Sequence, residues 1–251
     1  MKIVKSLNNP LVTRLISLKE KNTRNSEKQF LVEGYHLVEE AMKLNLLEEV
    51  LSTDEKVLKQ INAKNRYLVT DAIIKKISTT KTPQNIIGVV KIKEDNNLDL
   101  LLKKDLVKLV ILDDVSDPGN LGTIIRTAAA LGMDAVISSH QTVDYYNEKV
   151  IRSTQGAIFK LPLYKMDLVT FIKKLKELKI TVLGTSLKSS KSIFEIGKLE
   201  KFAVIFGNEA HGVSNEVLDQ TDYNIILPMD NNVESLNVSI ASAIVMWELK
   251  K

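Results

Sequence analysis

Three stretches of the chain carry side chains whose types and spacing suit chemistry. The first is DPGNLGTIIRTAAALG, residues 117–132, which follows an apolar run from Leu109 to Leu112. A strand, a glycine-bearing turn and a helix make the layout of a phosphate cradle. A dinucleotide loop needs G-x-G-x-x-G with an acid about 20 residues on, and a nucleotide-triphosphate loop needs Gly-Lys-Ser/Thr. Here Gly119 and Gly122 give G-x-x-G alone, so the phosphate signal is weak. What the turn supplies is Asn120, a natural N-cap by type, and Arg126, whose long side chain leans back towards the helix start. The small residues Thr127–Ala130 permit close packing. The competing reading of Arg126 is a plain surface arginine.

The second stretch is FGNEAHGVS, residues 206–214. Glu209 comes directly after a strand end at Gly207, placed to orient an arginine or a hydroxyl, and Gly212 allows another sharp turn. His211 has the right type for a general base, but one histidine in a glycine turn reads as incidental. The third stretch is LPMDNNVESLNVSIASAIVMW, residues 227–247. Its polar DNNVES breaks into an apolar helix, with Ser235 placed to cap it. Asn237 is a poor helix former at a helix start, and with the cap assigned to Ser235 it points to function. His36 and His140 have no partners at metal spacing, so no metal site is expected. No Ser, His and Asp fall in an acyl-transfer pattern.

The elements that must position these stretches alternate. From residue 106 on, KLVILDD, DAVISS, ITVLGTS, FAVIFGN and YNIILPM are five short apolar runs. Helical patterns lie between them: GTIIRTAAALG, YNEKVIRSTQGAI and DLVTFIKKLKELK. Continuous apolar strands separated by helices imply an α/β fold with a parallel sheet covered on both faces. Ligands of such sheets sit beyond the carboxyl ends of the strands, which singles out the loops 113–122, 184–187, 207–214 and 228–237. A last helix carries Leu236, Ile240, Ala243, Ile244 and Trp247 as its apolar stripe.

Before residue 96 the pattern is a smaller α/β unit. NPLVTRLISLKEK, YHLVEEAMKLN and DAIIKKIS read as helices, and QFLVEG, EEVLST, RYLVT and NIIGVVKI as strands. The expected domains are therefore 1–95 and 106–251, joined by a polar, Asn-rich linker over 96–105.

Composition limits the function classes. The chain has 251 residues, 44% hydrophobic and 26% charged, as in a soluble globular protein. No apolar run approaches the roughly 20 residues that span a bilayer, and no signal peptide is legible at the N-terminus. Without cysteines, disulfides, thiolate metal sites and a Cys nucleophile are excluded, which fits a cytoplasmic protein. The net charge of +4 is unevenly placed: residues 1–28 hold seven Lys and Arg against two Glu. Such a basic arm suits a polyanion, the alternative being a solvated, lysine-rich helix.

Taken together, the three stretches resemble the three motifs of the SpoU branch of the SPOUT RNA methyltransferases, with GNEAHG fitting the G-x-E-x-x-G of the second motif. KVIRSTQGAIF, residues 149–159, also matches the family. SLNNPLV, FLVEG and TPQNIIGVV resemble the substrate-binding domain these enzymes often carry, which is similar to ribosomal protein L30e. Relatives commonly have a glycine before the first of these strands, and RNSEKQF has none.

The resemblance implies a C-terminal domain tied in a deep trefoil knot, a rare exception to the unknotted rule. It implies a homodimer through that domain, with the active site near the interface, and no membrane. It implies S-adenosylmethionine, without metal, held by Thr185, Gly207, Asn208, Ile226, Leu227, Met229, Ser235 and Leu236. Catalytic roles fall to Asn120, Arg126, Glu209, Ser235 and Asn237, with RNA contacts expected from Lys5, Arg14, Lys19, Arg24, Lys28, Arg126 and Arg152. The implied reaction is methylation of a ribose 2′-hydroxyl, in 23S ribosomal RNA if the L30e-like domain sets the substrate. A guanidinium is not deprotonated at ordinary pH, so Arg126 is expected to bind phosphate and stabilise the developing alkoxide. Glu209 and Asn120 would orient it, while Ser235 and Asn237 hold the ribose or complete the donor pocket. A transfer-RNA methyltransferase, a catalytically silent RNA-binding factor of the same fold and a nicotinamide-dependent dehydrogenase are the alternatives.

Overall fold

The computed structural model describes residues 1–93, 97–187, 190–230, 232 and 235–251. It divides into two compact units, Met1–Glu94 with Tyr146–Phe159, and Asp95–Tyr145 with Lys160–Lys251.

The first unit opens with β1 (Lys2–Val4), α1 (Pro10–Ser17), α2 (Lys21–Glu27), β2 (Gln29–Glu33) and α3 (Tyr35–Lys43). It continues through β3 (Leu47–Ser52), α4 (Glu55–Gln60), β4 (Asn65–Val69), α5 (Asp71–Ile77) and β5 (Ile86–Lys91). The sheet order is β1-β4-β3-β5-β2, parallel at β1–β4 and β4–β3 and antiparallel at β3–β5 and β5–β2. The four longer strands were legible as short runs rich in apolar and β-branched residues. The three-residue edge strand β1 was not, because it is too short to show a period. Helices α1 and α5 bury Val12, Leu15, Ile73, Ile74 and Ile77 in one cluster with Leu18, Leu51 and Val89 of the same unit.

The turn before β2 is formed by Lys28, which ends α2 in the left-handed conformation at φ 54°. For a residue with a Cβ this conformation costs roughly 1–2 kcal/mol. The first unit therefore accommodates a lysine in a conformation that favours glycine.

The second unit begins earlier than expected. Leu98–Leu102 form α6, and Leu101 and Leu102 are buried in the second unit's core. Most of the presumed linker is thus part of that unit, because its leucines have an apolar core to join. Then come β6 (Val107–Leu112), α7 (Pro118–Leu131) and β7 (Ala135–Ser138).

The helix α8 (Glu148–Thr154) lies with the first unit, although the sequence grouped it with the second. It buries Val150, Ile151 and Thr154, and the flanking aromatics pack on Phe30, Tyr146 at 4.8 Å and Phe159 at 6.3 Å between ring centres.

The chain continues with β8 (Leu163–Lys165), α9 (Leu168–Glu177), β9 (Thr181–Thr185) and β10 (Lys191–Ser192). It closes with β11 (Lys201–Phe206), α10 (Asn215–Leu218), β12 (Tyr223–Ile226) and α11 (Val238–Lys250). The seven strands run in the order β10-β12-β9-β11-β6-β7-β8, every neighbouring pair parallel. The five apolar runs became β6, β7, β9, β11 and β12. The two outer strands, β8 and β10, are too short and too polar to announce themselves.

Helix α11 reverses the expected orientation. Its buried face is Ser239, Ser242, Val245, Met246 and Leu249, while Ile240, Ile244 and Trp247 are 52%, 39% and 58% exposed. The serines can face inwards because Ser242 Oγ donates to the Ser239 carbonyl at 2.9 Å and the hydroxyl of Ser239 also finds a partner. Small residues then let α11 lie against the alanine-rich α7.

Candidate active site

The loops at the carboxyl ends of β9, β11 and β12 surround a cleft of about 630 Å³ in the second unit. Thr185, Gly207, Asn208, Ile226, Leu227, Met229, Ser235 and Leu236 all line it. Residues 231, 233 and 234 of the DNNVES segment lie outside the described residues.

Two glycines permit close packing in and beside the cleft. A Cβ on Gly207 would lie 2.1 Å from the Gly212 carbonyl carbon and the Val213 nitrogen, and one on Gly184 would lie 2.8 Å from Leu218. The turn after Gly207 folds straight back: Asn208 N donates to the Gly212 carbonyl at 3.0 Å, and Gly212 N to the Asn208 carbonyl at 2.9 Å. Asn208 fixes the turn with its side chain as well. Its Oδ1 accepts from Ala210 N at 2.9 Å, and its Nδ2 donates to the Asp114 carbonyl at 2.8 Å.

That turn delivers Glu209 to the N-terminus of α7. The carboxylate accepts from Ser116 N at 3.1 Å, Ser116 Oγ at 2.8 Å, Asp117 N at 3.1 Å and Asn120 Nδ2 at 2.9 Å. Burial alone would raise the pKa of Glu209, but the hydrogen bonds from Asn120, Ser116 and Asp117 outweigh it and hold the value at about 2. The strand–glycine–helix turn is therefore an anion site, and the protein's own carboxylate occupies it.

The N-cap of α7 is Asp117, whose Oδ1 accepts from Asn120 N at 2.8 Å. Asn120, expected as the cap, sits inside the first turn, which frees both ends of its amide. Its Oδ1 accepts from Asn237 Nδ2 at 3.0 Å. Asn237 in turn caps α11, with Oδ1 accepting from Ser239 N at 2.9 Å and Ser239 Oγ at 2.6 Å. Ser235, expected as that cap, lies two residues earlier on the cleft wall.

The result is a one-directional chain in which Ser239 donates to Asn237, Asn237 to Asn120, and Asn120 to Glu209. Bonds aligned this way polarise one another towards the anion at the end. Three sequence-distant motifs meet here. Ser116 and Asp117 were missed and Ser239, noted only as a poor helix former at a helix start, was given no role in the site, since serine or aspartate beside a helix start carries no signal beyond capping.

Arg126 stands apart. It is exposed on α7 and makes no hydrogen bond or ion pair with any described residue, so neither Glu209 nor Asn120 orients it in this structure. His211 lines the cleft from the exposed turn, and its backbone N–H donates to Asn208 Oδ1 at 3.3 Å.

The expected RNA contacts also divide. Arg14 donates to Glu27 and Gln29 at 3.1 Å and to Glu49 at 2.5 Å, so its charge is spent within the first unit. Arg24 is buried and donates to the Leu18 and Lys19 carbonyls. Both are withdrawn from the expected RNA surface, because structural arginines and RNA-binding arginines look alike in sequence. Lys5 and Lys28 are exposed, while Lys19 and Arg152 are half-buried.

The low pKa of Glu209 makes a prediction. Its stabilising effect is fully present above the usual carboxylate value and fades only as pH falls from about 4.5 towards 2. Glu209→Gln is therefore expected to lower activity by one constant factor across pH 5–9. A pH–rate profile whose acid limb above pH 5 disappears in the variant would show that Glu209 titrates as a base.

Residues 108–247 match the family model described as SpoU rRNA Methylase family, and residues 9–88 match the MRM3-like substrate binding domain. The chain is 37% identical to the 23S rRNA (guanosine(2553)-2′-O)-methyltransferase RlmP of Bacillus subtilis, covering all of both chains. An AdoMet-bound rRNA methyltransferase from Sinorhizobium meliloti superposes with a TM-score of 0.88 at 28% identity, over 99% of this chain and 97% of that one. The AdoMet complex of the SpoU methyltransferase AviRb from Streptomyces viridochromogenes has the same fold, with a TM-score of 0.85 at 23% identity over 97% of each chain.

Proposed function

Because the chain belongs to the SpoU rRNA methylase family, we propose that it transfers a methyl group from S-adenosylmethionine to a ribose 2′-hydroxyl of 23S ribosomal RNA. The observation that carries this reading is the hydrogen-bond chain joining Asn120, Glu209 and Asn237 at the rim of a donor-sized cleft.

The cleft suits the donor. Its volume lies in the usual range for small-molecule sites, and Leu218, Ile225 and Val245 give it an apolar side beside the polar strand ends. Among the described residues that line it, Glu209 is the one Asp, Glu, Lys or Arg. An anion there favours a sulfonium cation over the pyrophosphate of a nicotinamide cofactor. The relatives, a 23S rRNA 2′-O-methyltransferase and an AdoMet-bound rRNA methyltransferase, point the same way.

Bound S-adenosylmethionine supplies an already electrophilic methyl group. The chain's residues then have to position the ribose oxygen and accommodate its proton. Glu209, ionised and fully bonded, acts as an anchor that fixes the Asn120 amide. Asn237 sits between cleft and helix, so the two halves of the site move together. Arg126 is left with its cationic head in solvent, ready for an RNA phosphate and for charge developing on the ribose oxygen.

The homodimer belongs to this reading. Helix α11 lies on α7 and turns Ile240, Ile244 and Trp247 outwards, a face that a second copy would cover. Trp247→Glu together with Ile244→Glu is expected to yield a monomer in sedimentation velocity. A variant that sediments with the wild type would remove this face from the interface. The setting is the cytoplasm, where ribosomal RNA is found; no described helix is long and apolar enough to cross a membrane.

The function is tested by incubating the protein with methyl-labelled S-adenosylmethionine and an unmodified 23S transcript, then mapping alkali-resistant linkages. A 2′-O-methyl group at a defined nucleotide is expected. Label appearing in transfer RNA alone would move the substrate. RNA binding without label in any RNA would identify a silent binding factor.

A further inference from the structure

The sequence STTKTPQ, residues 78–84, joins α5 to β5 with four hydroxyl side chains. Such a polar loop would ordinarily be mobile, yet here it is tied down by a carboxylate. Glu33, at the end of β2, accepts from Ser78 Oγ at 2.8 Å, Thr80 Oγ1 at 2.6 Å and Gln84 N at 3.3 Å. Gln84 Oε1 accepts from Tyr35 N at 3.3 Å. A Cβ on Gly34, at φ +100°, would lie 2.7 Å from that same amide oxygen, so a side chain there would push Gln84 away.

The cations around this loop share an unusual property. Lys19 Nζ donates to the Lys76 and Ser78 carbonyls at 3.3 Å each, Lys76 Nζ to the Leu7 carbonyl at 3.1 Å, and Arg152 Nη1 to Thr79 Oγ1 at 3.0 Å. Every one of these acceptors is neutral. Among the described residues none of the three cations pairs with a carboxylate, whereas Arg14 in the same unit is neutralised by Glu27 and Glu49. Cations oriented by neutral acceptors keep their field and have already lost much of their side-chain freedom. That is the condition for binding a polyanion, since a salt bridge would have to be broken first.

Resting on the RNA-methylation reading, we infer that the loop 78–84, clamped by Glu33 and flanked by Lys19, Lys76 and Arg152, is the surface of the first unit that grips the RNA strand. The cations take phosphates and set position. The exposed Thr79, Lys81, Thr82 and Gln84 offer donors to 2′-hydroxyls and to base edges of unpaired nucleotides. Glu33 is a positioning residue that never meets the RNA.

The test uses the full-length protein and a 23S transcript in filter binding between 50 and 200 mM salt, beside methyl-transfer kinetics. Lys19→Gln with Arg152→Gln is expected to weaken RNA binding about tenfold and to flatten the log–log salt slope by about 1.5, since each phosphate contact contributes roughly 0.7–0.9. Donor affinity and kcat at saturating RNA should stay within about twofold. Glu33→Ala should raise the RNA KM about tenfold with the salt slope and kcat retained, and Glu33→Gln, which keeps an acceptor, should restore most of the loss.

An unchanged slope in the paired variant would overturn the assignment, as would a Glu33→Ala variant that loses kcat at unchanged KM. Wild-type protein that transfers no methyl group, with the slope still reduced in the paired variant, would strike the methylation reading and leave this surface standing.

Discussion

Arg126→Ala is expected to abolish methyl transfer while leaving the dissociation constant for S-adenosylmethionine within about twofold of wild type. The arginine is exposed on α7 and is not among the residues that line the cleft, so the donor pocket survives its removal. What is lost is the cation that the proposed reaction places beside the ribose oxygen, and removing one donor that stabilises a developing oxyanion costs about 10²–10³ in kcat. Arg126→Lys should recover little, because an ammonium lacks the planar fork that holds phosphate and alkoxide together. Calorimetric titration of the donor and single-turnover kinetics separate the two effects. If donor binding collapses in Arg126→Ala, the division between an RNA-facing helix and a donor-facing cleft is wrong.

Gly207→Ala should act in the opposite sense, through the donor. The added methyl would overlap backbone atoms at 2.1 Å, and backbone cannot rotate away as a side chain can. The turn 208–213 must lift, which breaks the reciprocal Asn208–Gly212 hydrogen bonds and draws Glu209 from its socket at Ser116, Asp117 and Asn120. Loss of the two reciprocal hydrogen bonds together with weakening of those to the Glu209 carboxylate amounts to about 3 kcal/mol, or roughly a hundredfold in donor affinity where the donor must restore the turn on binding. A melting temperature lower by several degrees should accompany it. Wild-type donor affinity in this variant would mean that the turn moves freely and that Gly207 is no part of the pocket. Gly212 gives a control: its φ is +71° but nothing lies near its Cβ direction, so alanine there meets only the left-handed strain of about 1 kcal/mol.

The two variants probe opposite sides of one assembly. Glu209 joins them, since a carboxylate held at a pKa of about 2 cannot serve as a proton acceptor near neutrality. It serves instead as the fixed end of a polarised chain from Ser239 through Asn237 and Asn120. Proton transfer from the ribose is thereby left to groups outside this chain.

Much of the architecture was legible from residues alone. Five apolar runs became the five longer strands of the parallel sheet, because a strand buried on both faces must be apolar throughout. Their carboxyl-end loops form the cleft, as the topology of such sheets requires. Glu209 stood out as an acid directly after a strand end, and Asn237 as a polar helix-start residue left without a structural role once Ser235 was taken as the cap, whereas Asn120 read as a cap and took its further role from the family resemblance.

Other features depended on what each residue meets across the fold. Which of Asp117 and Asn120 caps α7, or of Ser235 and Asn237 caps α11, is a matter of backbone angles at adjacent positions, and every one of the four residues is a good cap by type. The outward face of α11 was misread because the helix is apolar on both sides, and serines can be buried when their hydroxyls find acceptors nearby. The basic N-terminal stretch held an excess of charge, but no count of residues separates Arg14, neutralised by Glu27 and Glu49, from Lys19, held on carbonyls with its charge intact. Sequence determined the periodicity, the strand ends and the supply of functional groups, since these follow from local chemistry. Tertiary structure alone decided which groups pair, because a hydrogen bond or an ion pair is a property of two residues brought together from distant parts of the chain, and pairing decides whether a charge is spent or available.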